Sequence, residues 1–64
     1  MKFELKLKLD NDAFQNGNAP FEVARILKYL ADQLDRNGSC DGLAFDLNGN
    51  NVGTVKYVFP KEGE

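Results

Sequence analysis

Between Lys2 and Leu9 the chain alternates, with Phe3, Leu5, Leu7 and Leu9 apolar and Lys2, Glu4, Lys6 and Lys8 charged. A period of two puts the apolar set on one side of a pleated backbone, so this stretch predicts a strand with one buried face. The next segment, DNDAFQNGNAP, is rich in Asn, Asp and Gly. Such residues stabilise turns through side-chain bonds to the backbone or by accepting positive φ, which predicts a loop, anchored by Phe14. From Pro20 the spacing changes to about 3.6 residues. Val23, Ile26, Leu27, Leu30 and Leu34, flanked by Ala24 and Ala31, form one stripe, and Glu22, Arg25, Lys28, Asp32, Asp35 and Arg36 lie opposite. Proline suits the first helical turn, with Asn18 or Ala19 as the cap. Gly38 can close the helix in the left-handed conformation, and Arg36 faces the negative end of its dipole.

The remaining pattern, GLAFDLNGNNVGTVKYVF, has β-branched and aromatic residues on both sides of an Asn-Gly pair, as a hairpin requires. Its register is the open question. A loop of two or four residues groups Leu43, Phe45 and Leu47 with Val52, Thr54, Lys56 and Val58, which puts Lys56 indoors. A loop of three or five pairs Leu43 with Val55 and Phe45 with Gly53, and turns Tyr57 and Phe59 inward. The second buries no charge and lets a ring cover a bare glycine, so it is the expected one. The order of elements then predicts an α+β fold of βαββ type over residues 1–64, a three-stranded antiparallel sheet in the order 1-3-2 with one helix packed on one face. The other face would carry Lys2, Glu4, Lys6, Lys8, Val52, Thr54, Lys56 and Val58, with Ala44 and Asp46.

The stretch DLNGNNVG spaces Asp46, Asn48 and Asn50 as calcium ligands are spaced. The calcium loop needs Gly at its sixth place and Glu at its twelfth, and those places hold Asn51 and Tyr57. It also lacks the lysine of a phosphate-binding loop, so a turn is expected. With no histidine, the chain lacks the commonest neutral-pH base and zinc ligand. Cys40 is the only cysteine and sits beside Asp41, whose charge disfavours a thiolate. An isolated thiol fits a reducing compartment. Carboxylate pairs such as Asp10/Asp12 or Asp41/Asp46 fall in turn-forming stretches, where short acids serve the backbone. No enzyme, no cofactor, no metal and no small-molecule substrate are therefore expected.

A chain of 64 residues makes one small core, which a partner would help to stabilise. The charged start is unlike an export signal, and no run approaches the roughly 18 to 20 apolar residues of a membrane span. A soluble cytoplasmic protein is expected, without membrane contact. Eight basic against ten acidic residues argue against general affinity for phosphate backbones. Lys2, Lys6, Lys8 and Lys56 on the open sheet face form the alternative nucleic-acid site, but they lack interleaved aromatic rings, and lysines also guard edge strands against unwanted pairing. The outer side of the helix offers Arg25, Tyr29 and Arg36, residue types common at interaction hot spots, although ion pairs such as Lys28–Asp32 and Asp32–Arg36 would also explain its charges.

The segments PFEVARILKYLADQLDRNG and DLNGNNVGTVKY together resemble a pattern in short proteins of phages and bacterial mobile elements, in which a strand, a V-A-x-x-L-x-x-L-A-x-x-L helix and an N-G-N-x-V-G hairpin follow in this order. The resemblance covers roughly Phe21 to Tyr57. It implies an accessory factor that docks on a host or phage macromolecule, and it carries no catalytic residues. The combined expectation is a non-enzymatic module that binds another protein, or its own copy as a homodimer, through Arg25, Tyr29 and Arg36 or through an exposed strand edge. Nucleic-acid binding by Lys2, Lys6, Lys8 and Lys56 is the alternative.

Overall fold

A computed structural model describes residues 1–60, so the last four residues of the predicted 1–64 domain lie outside the described residues. The chain runs β1 (Lys2–Leu7), a 3-10 helix (Asp12–Phe14), α1 (Ala19–Asn37), β2 (Leu43–Phe45) and β3 (Asn51–Val58). The three strands form one antiparallel sheet in the order β1-β3-β2, as the pattern predicts.

Each local signal has its expected structural outcome at one or both ends. Asn18 caps α1 and Pro20 lies in its first turn, although the Asn18 side chain makes no capping bond. At the far end Gly38 adopts φ 73° and donates its N–H to the Leu34 carbonyl at 2.9 Å, satisfying one of the free carbonyls of the last turn. Phe14 is buried and anchors the long loop, with Ala13 beside it. β1 ends at Leu7, two residues earlier than the alternation extends, and Leu9 lies exposed.

The core gathers Ala13, Phe14, Ile26, Leu30, Ala44, Val52 and Val55, with Leu5, Leu7, Val23 and Tyr57 packed against it. Ile26 and Leu30 set the middle of the buried helical stripe. Glu22, one turn earlier at the same i, i+4 spacing, is buried with them, a correction to its expected place on the outer face. Leu27 sits on the opposite flank of the stripe and stays 47% exposed.

The hairpin register differs from the expected one. β2 pairs Leu43 with Thr54, Ala44 with Gly53 and Phe45 with Asn51, with a bulge between Ala44 and Phe45. Ala44 therefore faces the core and Leu43 and Phe45 are exposed, the reverse of the expectation, while Lys56 remains outside. The physical reason is close approach. On β1, Leu7 lies opposite Gly53, and a Cβ on Gly53 would collide with the Lys6 carbonyl oxygen. Small residues facing each other on β2 and β3 let the three backbones close at this point. Val52, expected on the open face, is buried beside the bulge, where the alternation of faces breaks. Tyr57 does turn inward; its hydroxyl accepts from the Cys40 N–H at 3.0 Å and donates to the Cys40 carbonyl at 3.2 Å. Phe59 lies beyond the end of β3, exposed, with its ring stacked on Phe3 and tilted against Tyr57.

Candidate functional site

Two buried acids tie the β2–β3 loop to the rest of the molecule. Asp46, expected on the open sheet face, is instead 4% exposed. Its Oδ1 accepts from the backbone N–H of Asn48 and of Asn50, each at 2.9 Å, and its Oδ2 accepts from the side-chain amides of Asn50 at 3.2 Å and Asn11 at 3.1 Å. Gly49 takes φ 85° at the tip. The alternation of Asp and Asn in DLNGNNVG thus serves the turn: the carboxylate is surrounded by N–H donors, and a cation would have to displace them.

The second acid, Glu22, binds Arg25 through two bonds, Nε to Oε1 at 2.7 Å and an Nη to Oε2 at 2.9 Å. Oε2 also accepts the Leu47 N–H at 2.8 Å, and the Arg25 guanidinium donates to the Phe45 carbonyl at 3.0 Å. The planar fork of arginine matches the carboxylate and leaves a donor for the loop. Helix and hairpin are thereby clamped together at Phe45 and Leu47. The Arg25 bond holds the Glu22 carboxyl below its ordinary range against the opposing effect of burial, and the Leu47 N–H adds to it. For Asp46 burial is the largest single influence and pushes the carboxyl up, but the bonds from Asn50, Asn11 and Asn48 together hold it below its usual value.

Both groups release their protons more readily folded than unfolded, which fixes the sign of the acid response. Their stabilisation is complete above the unfolded carboxyl range of about 4 to 4.5 and is lost as pH falls through the lower folded values. Urea midpoints are expected to hold level from about pH 7 to 5 and to fall steadily below about pH 4.5. Glu22→Gln and Asp46→Asn should each flatten that slope while lowering the neutral-pH midpoint. Midpoints that stay level down to pH 3 would contradict this assignment.

Around the clamp the surface is apolar. Phe21 is 75% exposed, Leu47 64% and Tyr29 52%, and Leu43 and Phe45 are also open. Two concavities lie here. One, broad and shallow, is lined by residues including Phe21, Glu22, Arg25 and Leu47. The other, a cleft of about 150 Å³ between α1 and the β2 edge, is lined by Arg25, Tyr29, Leu30, Leu43 and Phe45 among others. Arg25 borders both, so the band is continuous.

Of the predicted helix residues, Arg25 and Tyr29 share this face. Tyr29 makes long bonds, donating to Asp41 and accepting from Gln33, each at 3.4 Å. Arg36 does not join them: it pairs with Asp32 at 3.1 Å, the predicted i, i+4 bridge, and borders neither concavity. Lys28–Asp32, the other expected pair, does not form. Phe21, Leu43, Phe45 and Leu47 are site residues that sequence reasoning missed; Phe21 shares with Arg25 and Tyr29 an i, i+4 row that would have flagged it.

Of the alternative lysine set, Lys2, Lys6 and Lys56 lie on the open sheet face. Lys2 bonds Glu4 at 2.8 Å, Lys56 stands opposite Glu4, and Lys6 stands opposite Thr54. Lys8 follows the end of β1, its N–H bonded to the Val52 carbonyl at 2.7 Å. The Phe3, Tyr57 and Phe59 rings belong by alternation to the other face, so no stack of rings accompanies these lysines. Among the described residues no group of three or more acids or thiols converges in a way that could hold a metal ion, and no helix is long and apolar enough to cross a membrane. No known protein family matches this chain, and no curated protein or solved structure is detectably similar to it.

Proposed function

We propose that this chain is a non-enzymatic interaction module that binds a second protein through the α1–β2 face. The observation that carries the reading is the continuous band of Phe21, Tyr29, Leu43, Phe45 and Leu47 left open around Arg25. Of the eleven large apolar side chains exposed among the described residues, five gather on this one side around the two concavities. Arg25 is neutralised by Glu22, so a partner meets a largely apolar surface with tyrosine and arginine at its middle. The cleft beside Tyr29, about 150 Å³, suits a single apolar anchor side chain of a protein partner. The resemblance of the helix and hairpin to phage and mobile-element proteins points to a host or phage protein as that partner.

A photo-crosslinking residue in place of Phe21, at the rim of the band, tests the reading. The expected result is one crosslinked species whose yield falls about tenfold with Tyr29→Ala or Leu47→Asp, while Lys2→Gln, Lys6→Gln and Lys56→Gln leave it unchanged. Capture that ignores Tyr29 and Leu47 overturns the proposal. Salt-dependent binding of DNA or RNA, lost with Lys2, Lys6, Lys8 and Lys56, would replace it with the lysine-face alternative.

A further inference from the structure

A different surface, the free edge of β1, has the features of a self-pairing strand. β1 is the outer strand of the sheet opposite β2. The Lys8 N–H bonds the Val52 carbonyl in the same register that sets Lys2 against Val58 and Lys6 against Thr54. In an antiparallel pair, positions that exchange bonds alternate with positions that do not. The even-numbered residues therefore face β3, and the N–H and C=O groups of Phe3, Leu5 and Leu7 point out of the sheet edge. On the helix flank opposite Tyr29, Leu27 is exposed, and Phe3 and Leu9 are exposed as well.

We propose that β1 pairs antiparallel with β1 of a second copy about a two-fold axis through Leu5. Charge and overlap together select this register: centring on Phe3 would also oppose Lys2 to Glu4, but it leaves the outward groups of Leu7 unpaired. With Leu5 opposite Leu5, Phe3 stands opposite Leu7, and Glu4 stands opposite Lys6 of the second copy, twice by symmetry. Centring on residue 4 instead opposes Glu4 to Glu4 and Lys2 to Lys6; centring on residue 6 opposes Lys6 to Lys6. Registers offset by one residue set outward groups against inward ones and mix the two faces. Lys2 faces Lys8 at the ends of the Leu5-centred pair, but Lys2 already holds Glu4 at 2.8 Å and Lys8 lies past the end of β1. The three outward positions on each strand are all satisfied, the sheet becomes six-stranded, and both helices lie on one face. The contact leaves Tyr29 and Leu47 free, so it stands or falls independently of the α1–β2 face.

Sedimentation and light scattering of the full chain across a range of concentrations test the pairing. Wild type is expected to show twice the monomer mass at high concentration. Glu4→Lys and Lys6→Glu should each raise the dissociation constant about tenfold, since each replaces two attractive pairs by two repulsive ones, and the double reversal should restore most of it. Glu4 also faces Lys56 within its own chain, so circular dichroism checks the fold of each variant. Backbone N-methylation of Leu5 in a synthetic chain supplies an arm that leaves every side chain intact: it removes the outward donor at the axis and should yield a monomer. A wild type that remains monomeric at millimolar concentration overturns the proposal. So does a dimer indifferent to N-methyl Leu5 or to the charge reversals.

Discussion

Gly53→Ala is expected to lower the melting temperature by roughly 10–25 °C. Gly53 lies on the central strand, between Leu7 of β1 and Ala44 of β2, next to the bulge. A methyl group there would point into the neighbouring strand, colliding with the Lys6 carbonyl oxygen and lying 2.9 Å from Leu7 Cδ2. The leucine can rotate away, but the carbonyl is backbone and can move only if β1 separates from β3. A strained contact of this kind costs on the order of 3 kcal/mol, against a total stability of about 3–10 kcal/mol for a chain of 64 residues. Gly42→Ala is the matched control, because its Cβ would meet its nearest neighbour, the Val55 carbonyl oxygen, at an ordinary 3.8 Å. Thermal melts followed by circular dichroism should separate the two variants widely. A Gly53→Ala melt within a few degrees of wild type would show that the sheet can open at this point without losing the fold.

The same glycine shows where the sequence stops being informative. The alternation of β1, the helical stripe around Ile26 and Leu30, the Gly38 cap and the Phe14 anchor are all set by neighbours within a turn or two, and they can be read from spacing. The sheet order follows from these elements and from short connections. The register of β2 does not, because β2 has three residues and a bulge, too few for alternation to outvote other arrangements. A reading that keeps rings inside chooses Leu43 and Phe45 for the core. The structure instead buries Ala44, because close backbone approach at Gly53 leaves no room for a larger side chain. That choice turns Leu43 and Phe45 outward and so creates half of the candidate face. Arg25 and Tyr29 were legible as unusual residues on a helix, and Phe21 was legible on their i, i+4 row; Leu43 and Phe45 were not, since their exposure depends on the register. Asp46 was legible as a turn former, but its bond to Asn11, across 35 residues, was not.

Arg25→Ala is expected to destabilise the protein by about 2–3 kcal/mol at pH 7. The change removes both bonds to Glu22 and the bond to the Phe45 carbonyl, leaving a buried carboxylate whose only remaining donor from this group is the Leu47 N–H. Loss of one partner from a fully buried pair costs about 3–5 kcal/mol. The smaller figure reflects the 44% exposure of the Arg25 side chain, which brings water to within reach of Glu22. The pair has a distinctive pH signature. Arg25 is what holds the Glu22 carboxyl low, so in Arg25→Ala that carboxyl should titrate at a higher pH than in wild type. Once Glu22 is protonated it needs no counter-charge, and the difference in stability between variant and wild type should narrow as pH falls from 7 toward 4. Glu22→Leu combined with Arg25→Ala should recover part of the loss, because the buried charge that made the single change costly is gone. Urea denaturation of the wild type, each single variant and the double variant gives the coupling directly. A double variant no more stable than the sum of its single changes, or a deficit in Arg25→Ala that does not vary with pH, would show that the clamp contributes packing alone.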